Sequence, residues 1–427
     1  MLPSTLMQGS GDLSGVPKTR WLGWLAGLVS VVVPLLQTLD RFRRPYGDKF
    51  MFPNLGGSSD LWLPYLGARA IVEHLDPYGP LPVYLREPSG WPSTYPPTML
   101  ALYVPLVWAT HADIELACQV FYWINIVALG ALSFIVWRLA LRLCCPDERQ
   151  ETSFLVILMA LTLNGLTMFA IDRSQSEIVS AALCWGAILL FLRGQHGWAM
   201  AAVTFAGAIK GYAVPVGVGL LLATRGQKQI LRAVAAATAV GLLVTVPVAG
   251  YLKHGFTSML VRAEYSWVSI WFNHSFKNAF YQFAPKLGDS GRRFMLVSSL
   301  LVMLAAWVRL LLAKRRGTSR EVTLRVIVFA GAALALMIGL PVYSGPYNYL
   351  LVLPAMILAS TRYRAVCEVL RLNHSVGIAL GAALVMALGL ALRLRLLDHP
   401  QSLAGVGLVL FVFCLGVMTV AGARRPT

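Results

Sequence analysis

Apolar runs bounded by charged residues dominate this chain. They fall at roughly 21–39, 115–137, 153–171, 177–192, 229–249, 294–313, 323–341, 348–361, 375–394 and 402–422. Most approach the ~20 residues that a helix needs to cross a hydrocarbon core. The pattern predicts an all-α, polytopic bundle of about 10–13 membrane helices, short or re-entrant ones included. Two further apolar stretches are interrupted. Residues 97–110 are short and open on Pro96-Pro97, and residues 197–224 are broken by Lys210-Gly211 and Pro215. Both read as partial helices, which a membrane tolerates only where protein or a cavity satisfies the freed backbone.

The charges between the runs suggest sidedness. With the N-terminus cytoplasmic and both awkward stretches re-entering, the cytoplasmic loops are 138–152, 193–196, 225–228, 314–322 and 362–374. These hold Lys314-Arg315-Arg316, Arg225, Lys228, Arg362, Arg364 and Arg371, and the tail Arg424-Arg425 joins them. The short outer turns 172–176 and 342–347 are poor in basic residues, as the positive-inside rule expects. The cluster Arg41, Arg43, Arg44 and Lys49 disagrees, and the later loops outvote it. The run Trp21 to Leu39 is followed by Asp40-Arg41-Phe42-Arg43-Arg44 rather than by a small-residue cleavage site, so it reads as the first membrane helix and not as a cleavable signal peptide. The expected organisation is a single integral membrane domain over 1–427, with outer loops 40–96 and 250–292 and C-terminal helices 375–422. A Trp- and Tyr-bearing amphipathic stretch near 60–75 is expected along the membrane interface.

Composition agrees. Of 427 residues, 57% are hydrophobic and 13% charged, against about 25% charged in soluble domains. This sets soluble folds aside. The net charge of +17 follows from positive-inside loops and anionic lipid headgroups, with a few cations left to hold a phosphate. The basic residues are scattered between spans, which argues against a nucleic-acid partner. The cysteines Cys118, Cys144, Cys145, Cys184, Cys367 and Cys414 avoid the long outer segments, so no disulfide framework is expected. No His, Cys and Asp set has metal-ligand spacing, so no metal or cofactor is expected.

Two residues stand out chemically. Asp60 precedes Leu61-Trp62-Leu63-Pro64-Tyr65 and follows Gly56-Gly57-Ser58-Ser59. The bland reading is a helix cap; the functional one is a general base at the membrane surface. Lys210 lies inside an apolar stretch, where an ionisable group is expensive and marks a candidate site. Its bland reading is a boundary between two half-helices. On the proposed topology Asp60, Arg173, Gln175, Asn273, His274, Lys277 and Asn348 all emerge on one face. Arg173 can also simply snorkel from a span end, and His274 can be an ordinary loop histidine.

The ordered motifs carry a resemblance. Asp60, Tyr65, Ala68-Arg69-Ala70, Asp76-Pro77-Tyr78, Tyr95-Pro96-Pro97, Leu102 and Pro105-Leu106 resemble the opening of glycosyltransferase family 87. Arg173-Ser174-Gln175-Ser176 sits where that family has a Gly-Gln-x-Asn type motif. Ala208-Ile209-Lys210-Gly211-Tyr212 with Pro215 resembles its Lys-x-x-Pro type motif, and Asn273-His274-Ser275-Phe276 its Asn-Gln-Ser-Leu motif. Pro346-Tyr347-Asn348-Tyr349 with Leu353-Pro354 resembles a late motif that usually carries His. The resemblance spans about residues 20–360. Ser174 replaces a Gly, His274 stands at the second position of its motif, and Asn348 replaces the late His.

The resemblance implies a GT-C fold and a polyprenyl-phosphate-sugar-dependent transferase of the cell envelope, such as a mannosyltransferase or one moving another hexose or a pentose. It sits in the inner (plasma) membrane with its site on the outer, periplasmic face. The donor would be a polyprenyl-phosphate sugar, the acceptor a lipid or glycan, and membrane lipids the surroundings. Asp60 would be the catalytic base. Tyr65, Arg69, Arg173, Gln175, Lys210, Asn273, His274, Lys277 and Asn348 would hold substrate. One base without a covalent intermediate predicts inversion at the anomeric carbon. A transporter or flippase without chemistry is the alternative, since transporters also place broken helices at their sites. A non-catalytic membrane scaffold is the third reading.

Overall fold

The computed structural model describes residues 61–85, 95–143, 157–158, 160–162, 165–172, 174–255, 257–258, 275–276, 279, 286, 288–341, 346–373, 375–388 and 400–421. Among these every regular element is helical. The first expected span at 21–39 and the basic cluster at 41–49 lie outside the described residues.

The order is α1 (Trp62–Val72), α2 (Pro97–Ala109), α3 (Ile114–Leu143), α4 (Gly165–Asp172), α5 (Glu177–Leu192), α6 (His196–Lys210), α7 (Val214–Leu222), α8 (Gln227–Thr245), α9 (Gly288–Arg316), α10 (Ser319–Gly339), α11 (Leu353–Thr361), α12 (Tyr363–Leu370), α13 (Ser375–Leu388) and α14 (Pro400–Val420). A 3-10 turn, Val246–Tyr251, prolongs α8, and another, Pro346–Leu351, leads into α11. Among the described residues four segments are long and apolar enough to cross a membrane by length and composition: Ile114–Leu143, Gln227–Gly255, Asp289–Arg316 and Ser319–Gly339. Of the other apolar helices α14 has 21 residues and the rest are shorter.

Both interrupted stretches are short helices. With 13 residues α2 extends about 20 Å, less than a bilayer core. Pro97 at its first turn fits because that amide has no helical partner, and it holds Pro96 in an extended conformation, ψ 145°. The second stretch divides into α6 and α7 at Gly211, whose φ of +76° closes α6. Lys210 is thereby the last residue of a helix inside an apolar segment. The stretch near 60–75 forms α1, with Tyr65, Leu66, Ala68 and Ala70 buried against its neighbours.

The bundle has two chemically different ends. At one end, cations reach the carbonyls that a helix C-terminus leaves free. Arg142 donates to Leu192 O (3.2 Å), Arg320 to Leu143 O (3.0 Å) and Lys314 to Ala223 O (2.7 Å). Arg309 donates to Thr419 O and Val420 O, both at 3.1 Å. The buried Arg325 donates to Met418 O (2.7 Å) and Ala421 O (2.8 Å). Each cation satisfies an orphan acceptor and meets the negative end of a helix dipole. This end contains the ends of α3, α5, α7 and α14 and the α9–α10 turn. Within that turn the Thr318 hydroxyl accepts from the Glu321 amide at 3.2 Å, the spacing of a capping box. The described residues of the basic loops expected on one side therefore lie at one end of the bundle, and many of their charges also cap helices.

The opposite end collects α1, the start of α2, the start of α5 and the ends of α6 and α10. Phe276, from the segment 250–292 expected as the second outer loop, packs there. Its ring lies so close to Gly339 that a Cβ would come within 2.1 Å of it. The α11 helix, buried throughout its apolar length, is tied to α5 through Trp185, whose indole donates to Leu351 O at 2.8 Å. The segment 362–374, expected as a loop, contains the short α12; Arg320 and Glu368 (3.6 Å) hold it at the basic end.

Candidate active site

Helix ends meet around Lys210. Its side chain is 11% exposed, and its ammonium forms an ion pair with the Glu177 carboxylate, 1% exposed. It donates to Gln175 Oε1 at 3.3 Å and stands 5.2 Å above the centre of the Tyr95 ring. Glu177 lies in the first turn of α5, where the helix dipole favours an anion. Carboxylate, ammonium, amide and aromatic ring thus share one dry place at the end of the bundle opposite the basic rim.

Each group is placed by local backbone chemistry. After α4 the amide of Ser174 bonds Ile171 O (3.1 Å) and that of Gln175 bonds Ala170 O (2.8 Å). This is a Schellman closure, with Ser174 at φ +52° in the position that usually takes Gly. The closure turns the chain into α5 within two residues and buries Gln175 beside Lys210. Tyr95 is held outside α2 by Pro96-Pro97, and its carbonyl accepts from the Tyr78 hydroxyl at 2.7 Å. Burial, with a contribution from Asp76, pushes the Tyr78 pKa up, so the phenol keeps its proton. Asp76 caps its own turn through Tyr78 N (3.0 Å) and pairs with His254 Nδ1 (2.7 Å). Asp76-Pro77-Tyr78 therefore links α1, the residues before α2 and the end of α8.

The other expected residues divide. Gln175 and Lys210 are brought together. Asn348 is buried in the 3-10 turn that packs on α4 and α5, the two helices flanking Gln175. Tyr65 is buried, and its hydroxyl bonds Thr110 Oγ1 (2.7 Å) and Asp113 O (3.2 Å), which fixes α1 to the α2–α3 turn. Arg69 is half-exposed, pairing with Glu73 at 2.8 Å one turn on and standing 5.3 Å from the Tyr84 ring. Asp60, Arg173, Asn273, His274 and Lys277 lie outside the described residues. Their described neighbours are informative. Leu61 shares an apolar cluster with Tyr65, Met99, Tyr103 and Ile209, the residue before Lys210.

Sequence reasoning missed Glu177 and Tyr95 as site members. Glu177 opens an apolar run, so it reads as the polar boundary of a span. Tyr95 reads as part of a proline motif. The available signal was Lys210 itself, because a cation inside an apolar stretch needs an anion.

The model of glycosyltransferase family 87 matches residues 94–341. The match includes Tyr95, Arg173 to Glu177, Lys210 and Asn273 to Phe276. The segment with Asp60, Tyr65 and Arg69 precedes it and Asn348 follows it, so it is narrower than the resemblance over 20–360. Among solved structures, that of ArnT from Cupriavidus metallidurans in the apo state is similar at 16% identity and a TM-score of 0.45, covering 94% of this chain and 78% of that one. No curated protein matches the chain. The family match covers more than half of the sequence and includes the residues assembled around Lys210, so the chain belongs to glycosyltransferase family 87, whose members are membrane glycosyltransferases of the GT-C fold.

Proposed function

We propose that this glycosyltransferase moves a sugar from a polyprenyl-phosphate donor to a hydroxyl of a lipid or glycan acceptor on the outer face of the plasma membrane, with inversion and with Asp60 as general base. The observation that carries this reading is the apolar cluster joining Leu61, next to Asp60 in the chain, with Ile209, next to Lys210. It ties the segment of the expected base to the buried polar site. Breaking the sugar–phosphate bond builds oxocarbenium character at the sugar and charge on the phosphate. The reaction needs a base at the attacking hydroxyl and donors at the departing phosphate.

The charge balance refines the roles. Glu177 offsets the charge of Lys210, so Lys210 serves as an oriented hydrogen-bond donor that supplies little net positive potential. Arg173, with a planar fork suited to phosphate, and Lys277 supply the charge. Gln175, Asn273, His274 and Asn348 contribute polar contacts. Tyr65 supports the site by fixing α1, and Arg69 acts at its outer rim. Mannose or another hexose or a pentose fits this scheme, and membership of a transferase family favours it over transport.

The test is Asp60→Asn in reconstituted membranes with a labelled polyprenyl-phosphate sugar. The expected loss is about 10²-fold or more, the usual effect of removing a general base. The product should carry the opposite anomeric configuration. Activity near that of the unaltered chain would end the base assignment. Movement of intact donor across the bilayer without product would support the flippase reading instead.

A further inference from the structure

A second site lies at the other end of α6, about 21 Å along the helix from Lys210. A groove of about 620 Å³ opens between the start of α6 and α8, lined by Gln195, Trp198, Gln229, Arg232, Ala236 and Val240 among others. A second groove of about 590 Å³ continues it along α5 and α6, sharing Gln195, Trp198, Ala201 and Val240 and adding Leu183, Leu190 and Phe205. One end of the combined channel is polar and cationic and the rest is hydrocarbon.

The polar end has what an anion needs. The first amides of α6 face no helical acceptor, and the cap residue Gln195 makes no side-chain cap bond. Arg232 is exposed. Unlike Arg142, Arg309, Lys314, Arg320 and Arg325 at the same end, it caps no helix and enters no ion pair among the described residues. Arg142, which reaches the end of α5, lies within electrostatic range of Arg193 and Arg138. Trp198 is 73% exposed, as an aromatic at the headgroup level would be.

We infer that this channel holds one anionic phospholipid of the leaflet at the basic end, its phosphate on Arg232 and the α6 amides and an acyl chain along Ala201, Phe205 and Val240. Charge complementarity and the apolar continuation favour a membrane phospholipid. This site is separate from the donor site and does not depend on the proposed reaction.

The test is native mass spectrometry of the full chain released from detergent with phosphatidylglycerol and phosphatidylethanolamine added in equal amounts. One phosphatidylglycerol should be retained in preference to the zwitterionic lipid. Arg232→Gln should lower that preference about fivefold, the effect of one basic residue near an anionic surface. Ala201→Trp should block retention of both lipids while Arg232→Gln still binds the zwitterionic one, which separates loss of charge from loss of space. Circular dichroism and unfolding checks show that both variants are folded. Equal retention of phosphatidylglycerol and phosphatidylethanolamine, or an unchanged preference in Arg232→Gln, would overturn the inference.

Discussion

The Glu177–Lys210 pair admits a quantitative test. Glu177 is 1% exposed and Lys210 11%, so neither charge can fall back on bulk water. Lys210→Met keeps the aliphatic stem and removes the cation. The carboxylate then retains the α5 dipole, worth ~0.3–1 kcal/mol and at most ~2. Removing one partner of a buried pair costs about 3–5 kcal/mol, so the dipole cannot compensate. The lost contact with the Tyr95 ring adds ~0.5–2 kcal/mol, so most of the cost comes from breaking the ion pair. Glu177→Gln strands the ammonium and should cost a similar amount. The double variant replaces both charges by an amide and a thioether, and its cost should be far below the sum, because exchanging both partners of a buried pair is often close to neutral. Equilibrium unfolding of the four proteins in mixed micelles gives the coupling, expected at about 6 kcal/mol or more when each single change costs ~3–5 kcal/mol and the double change is close to neutral. Single variants within ~0.5 kcal/mol of the unaltered protein, or costs that simply add, would refute a desolvated pair.

Two further outcomes follow from the backbone and the packing. Ser174 adopts φ +52°, which costs an L-residue roughly 1–2 kcal/mol. Ser174→Gly relieves this, less the ~0.5–1 kcal/mol of extra chain entropy that glycine loses on folding. It should stabilise the protein by about 0.5–1 kcal/mol in the same unfolding assay, and a destabilised glycine variant would contradict the closure. At Gly219 an added Cβ would fall 2.1 Å from Phe329 Cζ, so Gly219→Ala should cost about 1–3 kcal/mol by overpacking. Phe329→Leu in the same chain should recover part of it, and a Gly219→Ala cost that Phe329→Leu leaves unchanged would show that the ring is not the obstacle.

Apolar runs and their charged boundaries were enough to place most helices. The run 177–192 is α5 residue for residue, and the break at Lys210-Gly211 is a real helix end because glycine there takes φ +76°. Runs extended at their ends where polar residues continue a helix past the apolar stretch, as in α3 and α9, whose last turns carry Arg142 and Lys314-Arg315-Arg316. The run 348–361 divided, because Asn348 to Leu351 form a tighter turn before the nine-residue α11. Hydropathy does not distinguish a span from a short buried helix, since both are apolar all round.

The polar site was only half legible for a physical reason. A cation in an apolar stretch announces itself, but its partner can come from any helix start, where an acidic residue looks like ordinary capping. Glu177 is such a residue, 33 positions from Lys210 in the chain. The Schellman turn that brings Gln175 beside them was hidden too, because Ser174 occupies the place where glycine would have signalled it. Charge then decides the roles. A donor phosphate brings negative charge to a site where the buried ammonium is already balanced, and a balanced pair supplies directed hydrogen bonds but little net field. The proposed mechanism therefore gives the leaving-group charge to other basic side chains, Arg173 and Lys277, and not to Lys210.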